Sequence, residues 1–110
     1  MITSAPLGEF EVVVLMAVLH GAEGAYGSAI RDDIEERTGR PVSRGAVYIT
    51  LDRLEEKGLL SSRMGGATAE RGGRPKRVFR ATATGLKAVQ HSVNVMARMY
   101  KGLEPIVGKG

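Results

Sequence analysis

A mainly α fold with a small β-hairpin is predicted by three observations. Apolar residues recur at helical spacing in three successive segments, and the third declares both its ends, at Ser43 and Gly58. Two short β-prone runs, Leu59 to Met64 and Lys76 to Ala81, flank a glycine-rich stretch. A long amphipathic segment then starts at Thr82 or Thr84 and continues toward Gly102.

Met1 to Pro6 reads as a loose lead-in. Leu7 to His20 is predicted as the first helix, with Phe10, Val13, Val14, Ala17 and Val18 on one face. Val12, Leu15, Met16 and Leu19 make its other faces apolar too, and a helix apolar nearly all round requires burial on two sides. In so small a domain, a second subunit is the expected cover. Gly21 to Gly24 is a turn. The second helix spans about Tyr26 to Thr38, with Ile30 and Ile34 inward and a charged outer face from Arg31 to Arg37. Gly39 stops it, and Arg40-Pro41-Val42 leads into the third helix.

Ser43 is placed to cap that third helix by accepting a backbone N–H from its first turn. Val42 and Val47 can form a hydrophobic staple across the cap. Gly58 suits a left-handed closing residue, with Leu59 folding back on Leu54. Val47, Leu51 and Leu54 form a narrow apolar stripe, so most of the surface stays outside. The outer surface near the start carries Ser43, Arg44, Gly45, Tyr48 and Ile49. An ordinary amphipathic helix would show the same stripe. A helix fixed behind and exposed at its front is also what major-groove reading requires.

Between the two strand runs lies G-G-A-T-A-E-R-G-G-R-P, Gly65 to Pro75, a hairpin tip. From Arg63 to Arg80 the net charge is +5 in 18 residues, which leaves −1 for the rest of a chain whose total is +4. The basic character is one projection and not a general property. It reads either as a solvated loop or as a shaped turn that aims Arg71, Arg74, Lys76 and Arg77 at phosphates or a minor groove.

In the last segment Leu86, Val89, Val93, Met96, Tyr100 and Leu103 repeat at 3-4-3-4-3, the spacing of a coiled-coil seam. Together with Phe10 and Val14 of the first helix, they are the expected dimerisation surface. A last helix can also pack simply on its own core, and Met96, Met99 and Tyr100 could line a ligand pocket because methionine surfaces adapt, with packing the stronger expectation. The chain divides as residues 1–82, the DNA-binding part, and 83–110, the dimerisation helix and tail.

At 110 residues, 43% hydrophobic and 25% charged, the composition is that of an ordinary globular domain with a modest core. There is no cysteine, and therefore no disulfide and no thiolate metal site. His20 and His91 stand alone, and the glycine pairs match neither phosphate-binding nor dinucleotide patterns. No nucleophile–base pair can be nominated, so no catalytic residue, no metal and no cofactor are expected. The start lacks a basic leader, and the longest apolar run, Val12 to Leu19, is short of the roughly 20 residues of a membrane span; a cytoplasmic protein is expected.

Helix, helix, recognition helix, basic hairpin and terminal helix is the order of a winged helix-turn-helix with an added dimerisation helix. The residues also resemble the PadR family of bacterial transcriptional regulators. The likeness starts at Leu7-Gly8-Glu9-Phe10 and includes Tyr26-Gly27. It is densest from Gly45 to Leu60 (G-A-V-Y-I-T-L-D-R-L-E-E-K-G-L-L), and resumes at Gly72-Gly73-Arg74-Pro75-Lys76-Arg77 and Phe79-Arg80-Ala81-Thr82. Val78 and Phe79 stand where the family often has tyrosine. The resemblance implies a homodimer on double-stranded DNA, joined through the first and last helices, and repression relieved by a small-molecule effector or other signal. The effector's identity does not carry over. Two readings of another class stand beside it: a winged-helix adaptor that binds an acidic protein, and a small-molecule sensor without direct operator binding.

Overall fold

The computed structural model describes residues 7–22, 24–65 and 76–108. Its order is α1 (Glu9–His20), β1 (Ala25–Tyr26), α2 (Gly27–Thr38), α3 (Arg44–Glu56), β2 (Leu60–Met64), β3 (Arg77–Ala81), α4 (Ala83–Tyr100) and α5 (Glu104–Val107). It is a winged helix-turn-helix followed by a long terminal helix, as expected.

The expected helix boundaries rest on local chemistry that the structure shows directly. At the start of α1, Glu11 reaches back to accept the Gly8 N–H at 2.9 Å. Ser43 Oγ accepts the Ala46 N–H at 3.0 Å and caps α3. At the other end Gly58 takes φ +79°, the Leu59 N–H donates to the Leu54 carbonyl, and the Gly58 N–H donates to the Glu55 carbonyl. That double closure satisfies two of the carbonyls a helix end leaves free. Between α2 and α3 the link is pinned on both sides of Val42. Its carbonyl accepts Arg31 Nε at 2.9 Å, and its N–H donates to Glu35 Oε2 at 3.0 Å.

The sheet has three antiparallel strands in the order β1-β3-β2, one more than the expected hairpin. β1 is only two residues, and it exists because Ala25 and Tyr26 pair with Phe79 and Val78. This anchors the hairpin to the helices and answers why two such short strands hold together. Phe79, fully buried, stands at the junction of sheet and helices. Val14, Leu15, Ile30, Val47, Leu51 and Leu54 surround it to form one core.

Thr82 joins the end of α3 to the start of α4. Its Oγ donates to the Gly58 carbonyl at 2.7 Å and accepts the Gly85 N–H at 3.0 Å, while its own N–H donates to the Leu59 carbonyl at 3.1 Å. Gly85 lies directly against the Leu59 backbone, where a Cβ would collide with the carbonyl. α4 stops at Tyr100, and Gly102 (φ +90°) redirects the chain into α5. Leu103 therefore lies beyond α4, and the expected seam does not run unbroken on one helix.

Candidate nucleic-acid interface

The front of α3 is presented to solvent. Ser43, Arg44, Gly45 and Ala46 are exposed, and Ile49 is 59% exposed. Arg44 has no ion pair among the described residues. A Cβ at Gly45 would meet nothing within 4 Å, so packing inside the protein does not demand a glycine there. The absent side chain leaves room for something outside the protein to come close. Behind this front, Val47, Thr50, Leu51 and Leu54 fix the helix in the core.

Tyr48 departs from the expected outer surface. It is half-buried, and its ring and hydroxyl rest on Gly27 at the start of α2, an approach that any side chain at 27 would obstruct. Tyr48 sets the spacing of α2 and α3 instead of standing free beside Arg44. The same corner opens into a cleft of about 310 Å³, bounded by Tyr26, Gly27, Arg44, Tyr48, Met64, Lys76 and Arg77. Lys76 is exposed, with its ammonium 5.5 Å from the centre of the Tyr26 ring. Three cations, Arg44 from the helix and Lys76 and Arg77 from the hairpin base, thus line one concavity, the charge and shape that suit a sugar-phosphate backbone.

Arg77, expected to face phosphates, is tied to the protein itself: its guanidinium bridges two carboxylates of α3, Asp52 Oδ1 at 2.9 Å and Glu55 Oε1 at 2.7 Å. It also lies over the Phe79 ring, 4.8 Å from the centroid. The hydrogen bond to Asp52 and that to Glu55 outweigh partial burial and hold the guanidinium above its ordinary value. The sequence offered one signal for this: Asp52 and Glu55 are three apart and share a helix face. Nothing local links them to position 77. Arg71 and Arg74, also expected at this surface, lie outside the described residues. Arg63 and Arg80 are exposed on β2 and β3.

The expected dimerisation surface divides. Leu86 (54%), Val93 (44%), Met96 (68%), Tyr100 (42%) and Leu103 (41%) are all exposed, as is Met99. Val89 is 9% exposed and Val14 is fully buried in the protomer's own core, so neither has surface left to give a partner. Phe10 is half-buried and covered in part by Arg40, whose guanidinium is 5.8 Å from its ring. Among the described residues no three His, Cys, Asp or Glu side chains cluster as metal ligands, and no helix is long and apolar enough to cross a membrane.

The model of the transcriptional regulator PadR-like family matches residues 15–91. The chain belongs to the PadR-like family. It is therefore a transcriptional regulator and not an enzyme. Solved structures agree on the PadR fold. A PadR family regulator from Eggerthella lenta DSM 2243 superposes with a TM-score of 0.71 at 22% identity, covering 93% of this chain and 88% of that one. One from Clostridium difficile R20291 gives 0.74 at 19% identity, covering 92% and 100%. RosR from H. salinarum gives 0.68 at 27% identity, covering 87% and 79%. No curated protein matches the chain.

Proposed function

We propose that this PadR-like regulator is a sequence-specific DNA-binding repressor that acts as a homodimer on a pseudo-palindromic operator and is released by a small molecule or other signal. The observation that carries the reading is the exposed front of α3. There Arg44 has no ion pair among the described residues, Gly45 is open, and Lys76 faces the same cleft from the hairpin. Arg44 and Ile49 read base edges: Arg suits the paired acceptors of guanine, and an apolar tip suits the thymine methyl. Ser43 and Gly45 let the helix start approach closely. Lys76 holds the backbone, and Arg71 and Arg74 add further contacts to phosphates or the minor groove. Tyr48 orients this front from behind. Residues 1–82 carry the DNA-binding work and residues 83–110 the pairing. The exposed stripe Leu86, Val93, Met96, Tyr100 is the pairing surface, with Leu103 continuing it past Gly102. Working on chromosomal DNA puts the protein in the cytoplasm.

Selection of bound fragments from a random duplex pool tests this. Two inverted half-sites should emerge, centred about 34–36 Å apart or a multiple of that. Arg44→Ala should relax preference at one position of each half-site, at about 1–3 kcal/mol. Lys76→Ala should weaken specific and random duplexes alike and make the salt slope shallower by roughly one for each phosphate no longer neutralised. Recovery of no enriched sequence, or equal effects of both variants on both duplexes, overturns it.

A further inference from the structure

We propose that Arg77 is a positioning residue: it locks the returning strand of the wing onto the recognition helix and neutralises two carboxylates there, so that sequence preference depends on it although it touches no phosphate. This rests on the DNA-binding reading above.

Three elements meet at this guanidinium. Arg77 opens β3, directly after Lys76. Its Nη1 donates to Asp52 Oδ1 at 2.9 Å and its Nη2 to Glu55 Oε1 at 2.7 Å, so both arms of the fork end on α3. Ser62 of β2 joins from the side. Its Oγ lies within hydrogen-bond distance of both Glu55 carboxylate oxygens, at 2.9 and 3.0 Å, and 3.4 Å from Arg77 Nη2. Beneath the fork the Phe79 ring, fully buried in the core, supports the guanidinium plane. A planar donor set matched to two carboxylates, with its carbon 4.8 Å over an aromatic ring, is a geometry that lysine cannot reproduce.

Two consequences follow. A phosphate that drew the guanidinium away from α3 would break two charge-assisted hydrogen bonds and leave Asp52 and Glu55 bare on the helix that approaches a polyanion. With the clamp closed, those acids are compensated. The clamp also adds side-chain bonds between α3 and β3 to the backbone pairing that joins β3 to β1 and β2. A wing that swung freely on α3 would still attract duplex DNA, but it would no longer hold the helix in one register.

The test uses the full chain, the duplex enriched from the random pool, and a random-sequence duplex of equal length. Arg77→Met and Arg77→Lys should each lower the ratio of specific to random affinity about tenfold, well below the thermal midpoint. The slope of log affinity against log salt should stay as in the unaltered chain. Midpoints of Arg77→Met, Glu55→Gln and the double variant should show coupling, the second change costing less once the first is made. Retention of full preference by Arg77→Lys, with a slope shallower by roughly one for Arg77→Met, makes Arg77 a phosphate ligand and overturns the proposal. A lowered midpoint with an unchanged affinity ratio reduces the clamp to a stabilising role and overturns it too. If the unaltered chain binds no duplex, the DNA reading falls and takes the specificity claim with it; the midpoint coupling then decides separately whether the clamp exists.

Discussion

α1 and α4 make opposite use of their apolar residues. α1 is apolar on nearly every side, and its own protomer wraps it: Val14, Leu15, Ala17 and Val18 are buried, with Phe10, Val13, Met16 and Leu19 packed at the margin. α4 keeps one apolar edge, and the protomer covers only its beginning, at Gly85 and Val89. Further along, Met96 and Met99 stand 68% and 72% exposed. A helix apolar all round reports how deeply it sits in its own chain. A helix with one bare edge carries apolar surface that its own protomer leaves uncovered.

The strongest way to break this contrast is to charge the bare edge. Val93→Glu with Met96→Glu, present twice in a dimer, should raise the self-association Kd by about 100-fold or more, read by sedimentation. No change in association would move the dimer surface elsewhere. On α1, Val14→Ala should remove roughly 1.5–3 kcal/mol of stability in urea titrations at fixed protein concentration. Association of the folded chain should persist, because Val14 has no exposed surface to offer a partner. A Val14 variant that dissociates while keeping its stability would reverse the roles of the two helices. Gly85→Ala probes the covered start of α4, where it rests on the exit of α3. The new Cβ meets the Leu59 carbonyl, which is backbone and yields little, so a loss of about 1–3 kcal/mol is expected in the same titrations.

The smallest effect is the pH dependence at the rim of α1. Burial pushes the Glu11 carboxyl up, but the hydrogen bonds from Lys57, at 2.8 Å, and from the Gly8 N–H outweigh it, and the group sits below its ordinary value. A depressed folded pKa adds stability above the unfolded value of about 4.3, and that contribution disappears as pH falls through the folded value. Glu11→Gln should therefore cost up to about 1 kcal/mol at neutral pH, with the difference from the unaltered chain closing in acid. A gap that persists in strong acid would mean that the side chain acts through packing and not through charge.

What the chain reveals before folding is what neighbours in sequence decide. Ser43, Gly58 and Leu59 announce the ends of α3 because caps and closures involve residues three to five apart. Thr82 announces α4 for the same reason. β1 is silent, since two residues carry no period and become a strand only by pairing with β3. Tyr48 looked outward because a narrow stripe leaves its angle on the helix free. Gly27, which receives its ring, is 21 positions away and carries no side chain to signal the approach. Arg77 read as one more charge in a basic run, and only the approach of Asp52 and Glu55, 25 and 22 positions away, gives it a different task. Leu103 fits the heptad spacing, but the positive φ of Gly102 removes it from the helix that the spacing assumes.

The three hydrogen bonds of Thr82 make α4 a lever with its fulcrum at the exit of α3. Eighteen residues at 1.5 Å each give an arm of about 27 Å, so a tilt of about 10° sweeps the far end through about 5 Å. The arm cannot tilt far without tugging Gly58 and Leu59. A push on the far end is thus felt at the two residues that close α3, with no contact at that helix's exposed front.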